Sequence, residues 1–219
     1  IYLVANLGPG PRDGLMIGLQ QKTNLPIAAV RAILEISVVS TDALRKMVLP
    51  MVPKSELKKK FPQTNMPTPK NKFRFDVYSS KELLKAQLVE SKTMWPSVTA
   101  FIESLIYREQ DYVIEGVHLF PGLVNQLKKT KYWKNLRVVY LIKENLDNIA
   151  SGFSMNKDVF DWMYPFIKND AKRLAKAAEM VREKSLYIKR ETKKMNLKLY
   201  NTEDDFNKVM KEAQNYLTK

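Results

Sequence analysis

Two short stretches hold the side chains best suited to chemistry. One is Asp111–Val124, DYVIEGVHLFPGLV, where Glu115 and His118, the single histidine of the chain, follow a short apolar, β-branched run. The other is Val38–Arg45, VVSTDALR, where Asp42 and Arg45 follow the apolar Ile36–Val39. A carboxylate can take a proton from a hydroxyl, and a guanidinium can grip a carboxylate or phosphate through two N–H groups. Both sets fall at the ends of expected strands. In open α/β sheets, ligands sit in the crevice outside the carboxyl ends of the strands. Each residue also has a purely structural reading. Asp42 can cap the helix that begins near Ala43, and Arg45 can be an ordinary surface residue. Glu115 can be satisfied by a backbone N–H, and His118 can be a packed, hydrogen-bonded core residue. A lone histidine with no serine or cysteine in a nucleophile setting supports no hydrolase triad.

The elements that must position these groups alternate along the chain. Ile1–Leu7, Leu15–Gly18, Ile36–Val39, Tyr112–Ile114, Leu136–Ile142 and Leu197–Tyr200 read as strands. Residues 28–34, Ala43–Val48, Ser80–Glu90, Pro96–Arg108, a segment from Asn145, Asp170–Lys194 and Glu203–Leu217 read as helices. In the Pro96 helix, Val98, Phe101, Ile102, Leu105 and Ile106 share one face. Such alternation calls for a parallel sheet with right-handed crossovers, hence an α/β fold of three layers in one domain over 1–219. Lys54–Lys72, with Lys58-Lys59-Lys60, Pro62, Pro67 and Pro69, reads as an exposed basic insertion within about 50–75 that has few groups to pack.

The 219 residues carry a formal net charge of +14, which favours an anionic partner: nucleic acid, a phosphorylated ligand, an acidic surface or an acidic protein. The plainer reading is that the lysines solvate helix faces. No cysteine is present, which excludes a disulfide framework and cysteine-ligated zinc, and one histidine argues against a histidine-rich metal site. No apolar run approaches the roughly 20 residues of a membrane span. A start at Ile1 rather than methionine fits a cleaved transit peptide, a trimmed chain or a preceding segment.

These motifs carry a family resemblance. VVSTDALR resembles the second strand of P-loop kinases, where Thr-Asp-x-x-Arg follows the strand. Val113–Val124, VIEGVHLFPGLV, is similar to the EGVH-x-x-PG signature of 2-phosphoglycerate kinase and its relatives. The order of Tyr78-Ser79-Ser80, a helix pair and then that signature is the family's order. The resemblance spans roughly Ile36 to Ile142, with a weaker echo in Leu197–Leu217. It implies a three-layer P-loop kinase-like fold with a central parallel sheet and phosphoryl transfer to a small hydroxy acid phosphate. Asp42 would then hold the acceptor hydroxyl or act as its base. Arg45 would bind the acceptor's anionic group, with Glu115 and His118 on the substrate side.

The phosphate-binding pattern of such kinases, G-x-x-x-x-G-K-[ST], is absent. Two registers compete for its remnant. Gly8–Gly14, GPGPRDG, keeps glycines but has no lysine, and Pro9 and Pro11 lack the N–H donors a phosphate nest uses. Leu19–Thr23, LQQKT, places Lys22 and Thr23 where the family has its Lys and Ser/Thr, with Gln20 and Gln21 in place of glycines. The second register is preferred because the following helix and strand then need no insertion. The lid stretch, Leu146–Tyr164, holds Lys157 but no arginine, and Arg173 and Arg182 fall on the next helix. These departures lead to the expectation of a degenerate kinase-like protein, a structural or interaction subunit of a larger assembly, with no cofactor. A mitochondrial ribonucleoprotein suits the charge and the missing start, and places the chain in the matrix; the cytoplasm is the alternative. An active kinase is the second reading, with Lys22 and Thr23 holding ATP and magnesium. The third is an RNA-binding module using Lys58, Lys59 and Lys60.

Overall fold

The computed structural model describes residues 38–107, 112–155, 163–203 and 205–217. The expected strands Ile1–Leu7 and Leu15–Gly18, the helix over 28–34, and Lys22 and Thr23 lie outside the described residues, as do 156–162 of the expected lid.

β1 (Val38–Ser40) is followed at once by α1 (Thr41–Val48), a 3₁₀ turn at Leu49–Met51 and the short α2 (Leu57–Lys60). Next come α3 (Arg74–Val77), α4 (Ser80–Tyr107), β2 (Val113–Glu115) and α5 (Pro121–Val124). Two 3₁₀ turns lead to β3 (Val139–Ile142), α6 (Leu146–Met155) and α7 (Tyr164–Ile167). α8 (Ala171–Lys194), β4 (Lys198–Asn201) and α9 (Phe206–Leu217) complete the order. β1 pairs with β2 in parallel, Val39 opposite Ile114 and Ser40 opposite Glu115. β3 pairs with β4 in parallel, Val139 opposite Lys198. Among the described residues the expected single sheet is therefore two parallel pairs.

The fold is α/β with helices on both faces of the strands. β3 is buried at all four positions. Tyr140 and Ile142 join the main core with Val98 and Ile102 of α4, Ile114 of β2 and Ile188 of α8. The alternate residues, Val139 and Leu141, pack on Ala213 and Met210 of α9. A strand covered on both faces is the parallel-sheet environment, and it explains why LRVVYLI is apolar without alternation.

Two expectations differ from the structure. The helices expected at Ser80–Glu90 and Pro96–Arg108 are one 28-residue helix with Pro96 inside it. Proline removes one N–H from the ladder, but Met94, Trp95, Val98 and Ile102 on either side of it are all buried, and that burial outweighs the lost bond. The strand ends at Glu115 as expected, and the chain turns at Gly116 and enters α5, whose first residue is Pro121. Lys54–Lys72 also packs more than its composition suggests. Phe61 is fully buried in the main core, and Asn65 Nδ2 donates to the Phe61 carbonyl at 2.8 Å.

Candidate functional site

The carboxyl ends of β1 and β2 bring the two expected motifs together. Ser40, the last residue of β1, caps α1: its Oγ accepts from the Asp42 N–H at 3.2 Å. Such a cap satisfies one of the four donors a helix leaves open at its start. Thr41 is fully buried, and its Oγ1 shares a hydrogen bond of 3.0 Å with His118 Nδ1. Gly116 makes that closure possible. Its φ is +139°, and a Cβ there would lie 1.9 Å from Thr41 Oγ1. The chain leaving β2 thus presses backbone against Thr41, and His118, 1% exposed, seals the contact.

Asp42 and Arg45 stand one turn apart on α1 and form an ion pair, Arg45 Nε to Asp42 Oδ1 at 3.3 Å. Arg45 Nη1 also donates to Thr64 Oγ1 at 2.8 Å. The Thr64 hydroxyl donates in turn to Glu90 Oε2 at 3.1 Å, and the Thr64 N–H donates to Glu90 Oε1. Glu90 is 1% exposed. Burial raises its carboxyl above the ordinary range, against the lowering effect of the Thr64 hydrogen bonds and of Arg45 and Arg74. Arg74, at the start of α3, is half-buried. Burial lowers its pKa, the Glu90 charge opposes that shift, and Arg45 adds to it.

From the other side comes Lys184 of α8, with Nζ 5.4 Å from the centre of the Phe120 ring. Burial brings its pKa down to about 7, with Asp42 acting in the opposite direction. His118 is pushed down to about 4, chiefly by burial; Asp42 opposes this, and Lys184 and Arg45 reinforce it. At neutral pH the histidine is uncharged. The edge therefore holds a half-exposed carboxylate, two arginines, a lysine near its titration point and a neutral imidazole. This set can bind a small anion beside Asp42, which could accept a proton from a hydroxyl held there.

Asp42, Arg45 and His118 are thus united, and Glu115 stands at the end of β2 in register with Ser40. Lys58, Lys59 and Lys60 lie exposed on α2, where Lys60 pairs with Glu56 at 2.5 Å. Arg173 pairs with Asp76 at 3.1 Å and donates to the Asn71 carbonyl, so it ties α8 to α3 and the segment before it. Arg182 lines a separate cavity of about 490 Å³ between residues 75–81 and α8.

Thr64, Glu90, Arg74 and Lys184 were not anticipated from sequence. A signal existed for Glu90. It lies on the buried stripe of α4 with Leu83, Ala86, Gln87, Ser91 and Met94, and a carboxylate on such a stripe calls for a partner. Among the described residues no group of three His, Asp or Glu stands close enough to hold a metal ion. No helix among them is long and apolar enough to cross a membrane.

No family model matches the chain. Over 38 residues it is 58% identical to an uncharacterized protein of Haemophilus influenzae, a stretch that is 17% of this chain and 17% of that protein. Among solved structures, a dephospho-CoA kinase from Campylobacter jejuni is similar over 99% of this chain and 94% of that one, at 12% identity and a TM-score of 0.40.

Proposed function

We propose that this chain is a kinase-like α/β protein whose β1–β2 carboxyl edge binds a small phosphorylated hydroxy acid, of the kind 2-phosphoglycerate exemplifies. The observation that carries this reading is the convergence of Asp42, Arg45 and Lys184 on one strand edge, with Lys184 poised near neutral titration beside Asp42. In this reading Arg45 and Lys184 hold the ligand's anionic group. Asp42 orients the free hydroxyl and takes its proton as the γ-phosphoryl arrives. His118 is a neutral wall fixed by Thr41 rather than a base. ATP and magnesium would meet Lys22 and Thr23, which lie outside the described residues.

A second reading keeps the scaffold and gives up the transfer, making the chain an interaction subunit of a larger assembly such as a mitochondrial ribonucleoprotein. It is favoured by the internal commitments of the same groups: Arg45 to Asp42 and Thr64, His118 to Thr41. RNA contact through Lys58, Lys59 and Lys60 belongs to this reading and predicts affinity that falls steeply with salt. The two readings separate in one assay. The full chain is incubated with magnesium-ATP and 2-phosphoglycerate, and the phosphorylated product is sought. Turnover that Asp42→Asn lowers by about a hundredfold or more supports the first reading. Absence of product, with the same background in the variant, supports the second.

A further inference from the structure

Glu90 lies outside both expected motifs and is 1% exposed. A carboxylate buried in the middle of a long helix is costly unless it is hydrogen-bonded and faces positive charge. Glu90 meets the first condition through Thr64 and the second through Arg45 and Arg74. Both its oxygens take hydrogens from Thr64, and the same Thr64 oxygen accepts from Arg45. The chain of contacts runs from α4, through a loop residue 26 positions earlier, to a guanidinium on α1.

A purely mechanical clamp would not need a charge at position 90. Glutamine presents an oxygen for the Thr64 N–H and occupies the same space. The carboxylate differs in two ways. It compels the Thr64 hydroxyl to point its hydrogen toward Glu90, which turns the oxygen's lone pairs outward to Arg45. Its charge also draws on the two guanidiniums nearby, Arg45 and Arg74. A glutamine amide can donate to the Thr64 oxygen instead, which frees the hydroxyl hydrogen to turn toward Arg45 and break that contact. Arg45 has its Nε committed to Asp42 and its Nη1 to Thr64, so the plane of its guanidinium is fixed at two points. Among the described residues no acceptor meets its remaining nitrogen, Nη2.

We propose that Thr64 and Glu90 are positioning residues for Arg45, fixing the guanidinium so that Nη2 is presented at the β1–β2 edge. The value of this device to a ligand rests on the anion-binding reading above; the fixing itself does not. It also gives a role to the segment Lys54–Lys72, which carries one wall of the edge through Thr64.

Two measurements on the full chain test this and separate it from the parent reading. The first follows rotation of the Arg45 guanidinium by nuclear magnetic resonance of nitrogen-15-labelled arginine side chains. Slow rotation is expected in the parent chain, fast rotation in Thr64→Val and Glu90→Gln, and slow rotation again in Thr64→Ser. Fast rotation in the parent chain, or slow rotation kept in both Val and Gln variants, overturns the proposal. The second is calorimetric titration with 2-phosphoglycerate. Glu90→Gln removes a negative charge, which on electrostatics alone would strengthen anion binding. Positioning predicts the opposite, a loss of about tenfold, with Thr64→Ser near the parent value. Equal or tighter binding by Glu90→Gln overturns the proposal. Failure of the parent chain to bind, with the rotation results as expected, overturns the ligand reading and leaves the positioning of Arg45 standing.

Discussion

At the scale of single residues the edge is governed by which charges burial allows. His118 has a folded pKa of about 4 against an ordinary value of 6.5, so the fold holds it neutral. Between those values the unfolded chain binds more protons than the folded one, so stability rises with pH. The contribution is complete above pH 6.5 and is lost as pH falls through 6.5 toward 4, a swing of about 3 kcal/mol. Lys184, lowered to about 7 from 10.5, adds a slope of the same sign at higher pH, and Glu90, raised, one of opposite sign at lower pH. Urea unfolding of the parent chain and of His118→Asn at several pH values isolates the histidine. The parent should lose stability relative to the variant between pH 6.5 and 4, with a constant difference above 7. Parallel curves throughout would show that the imidazole is not sealed. Asp42, Arg45 and His118 were readable from VVSTDALR and EGVH, because strand-end motifs keep their chemistry in sequence order. Thr64 was hidden, because its contact with Glu90 is made only by tertiary packing; the buried stripe of α4 marked Glu90 as needing a partner without saying which.

At the scale of elements, local rules were overridden where burial was large. Pro96 marks a helix boundary in sequence, yet α4 runs through it. The Thr99 hydroxyl donates to the carbonyls of Trp95 and Pro96 at 3.1 and 2.9 Å, the ordinary back-bonding of a helical threonine. Pro96 is itself exposed, so Pro96→Ala should restore a ladder bond at little packing cost. Thermal or urea unfolding is expected to show a gain of about 1–3 kcal/mol. The stretch after α1 teaches the reverse lesson. Its lysines and prolines read as an exposed insertion, and Lys58, Lys59 and Lys60 are exposed, but Phe61 beside them is a core residue. Phe61→Ala should cost about 3–5 kcal/mol in the same experiment. Changing Lys58, Lys59 and Lys60 together to glutamine should stay within about 1 kcal/mol, since the one ion pair lost, to Glu56, is exposed. Composition averages over a segment, and a single anchoring aromatic disappears in that average.

At the scale of the whole molecule, the alternation of apolar runs and amphipathic stretches was enough to give the α/β class and parallel pairing, because a central parallel strand must be covered on both faces. β3 demonstrates this, with α9 on one side and α4 and α8 on the other. The pairing order was less legible, since partners separated by more than fifty residues leave no local signal. The net charge of +14 attracts anions in general and selects none. In the proposed reading, selection falls to Asp42, Arg45 and Lys184, carried by α1 and α8 near the carboxyl ends of β1 and β2. The most direct test is calorimetric titration of the full chain with 2-phosphoglycerate beside the same titration of Arg45→Met. Saturable binding that weakens by about tenfold or more in the variant is expected. No saturable binding, or equal affinity in the two chains, would contradict it.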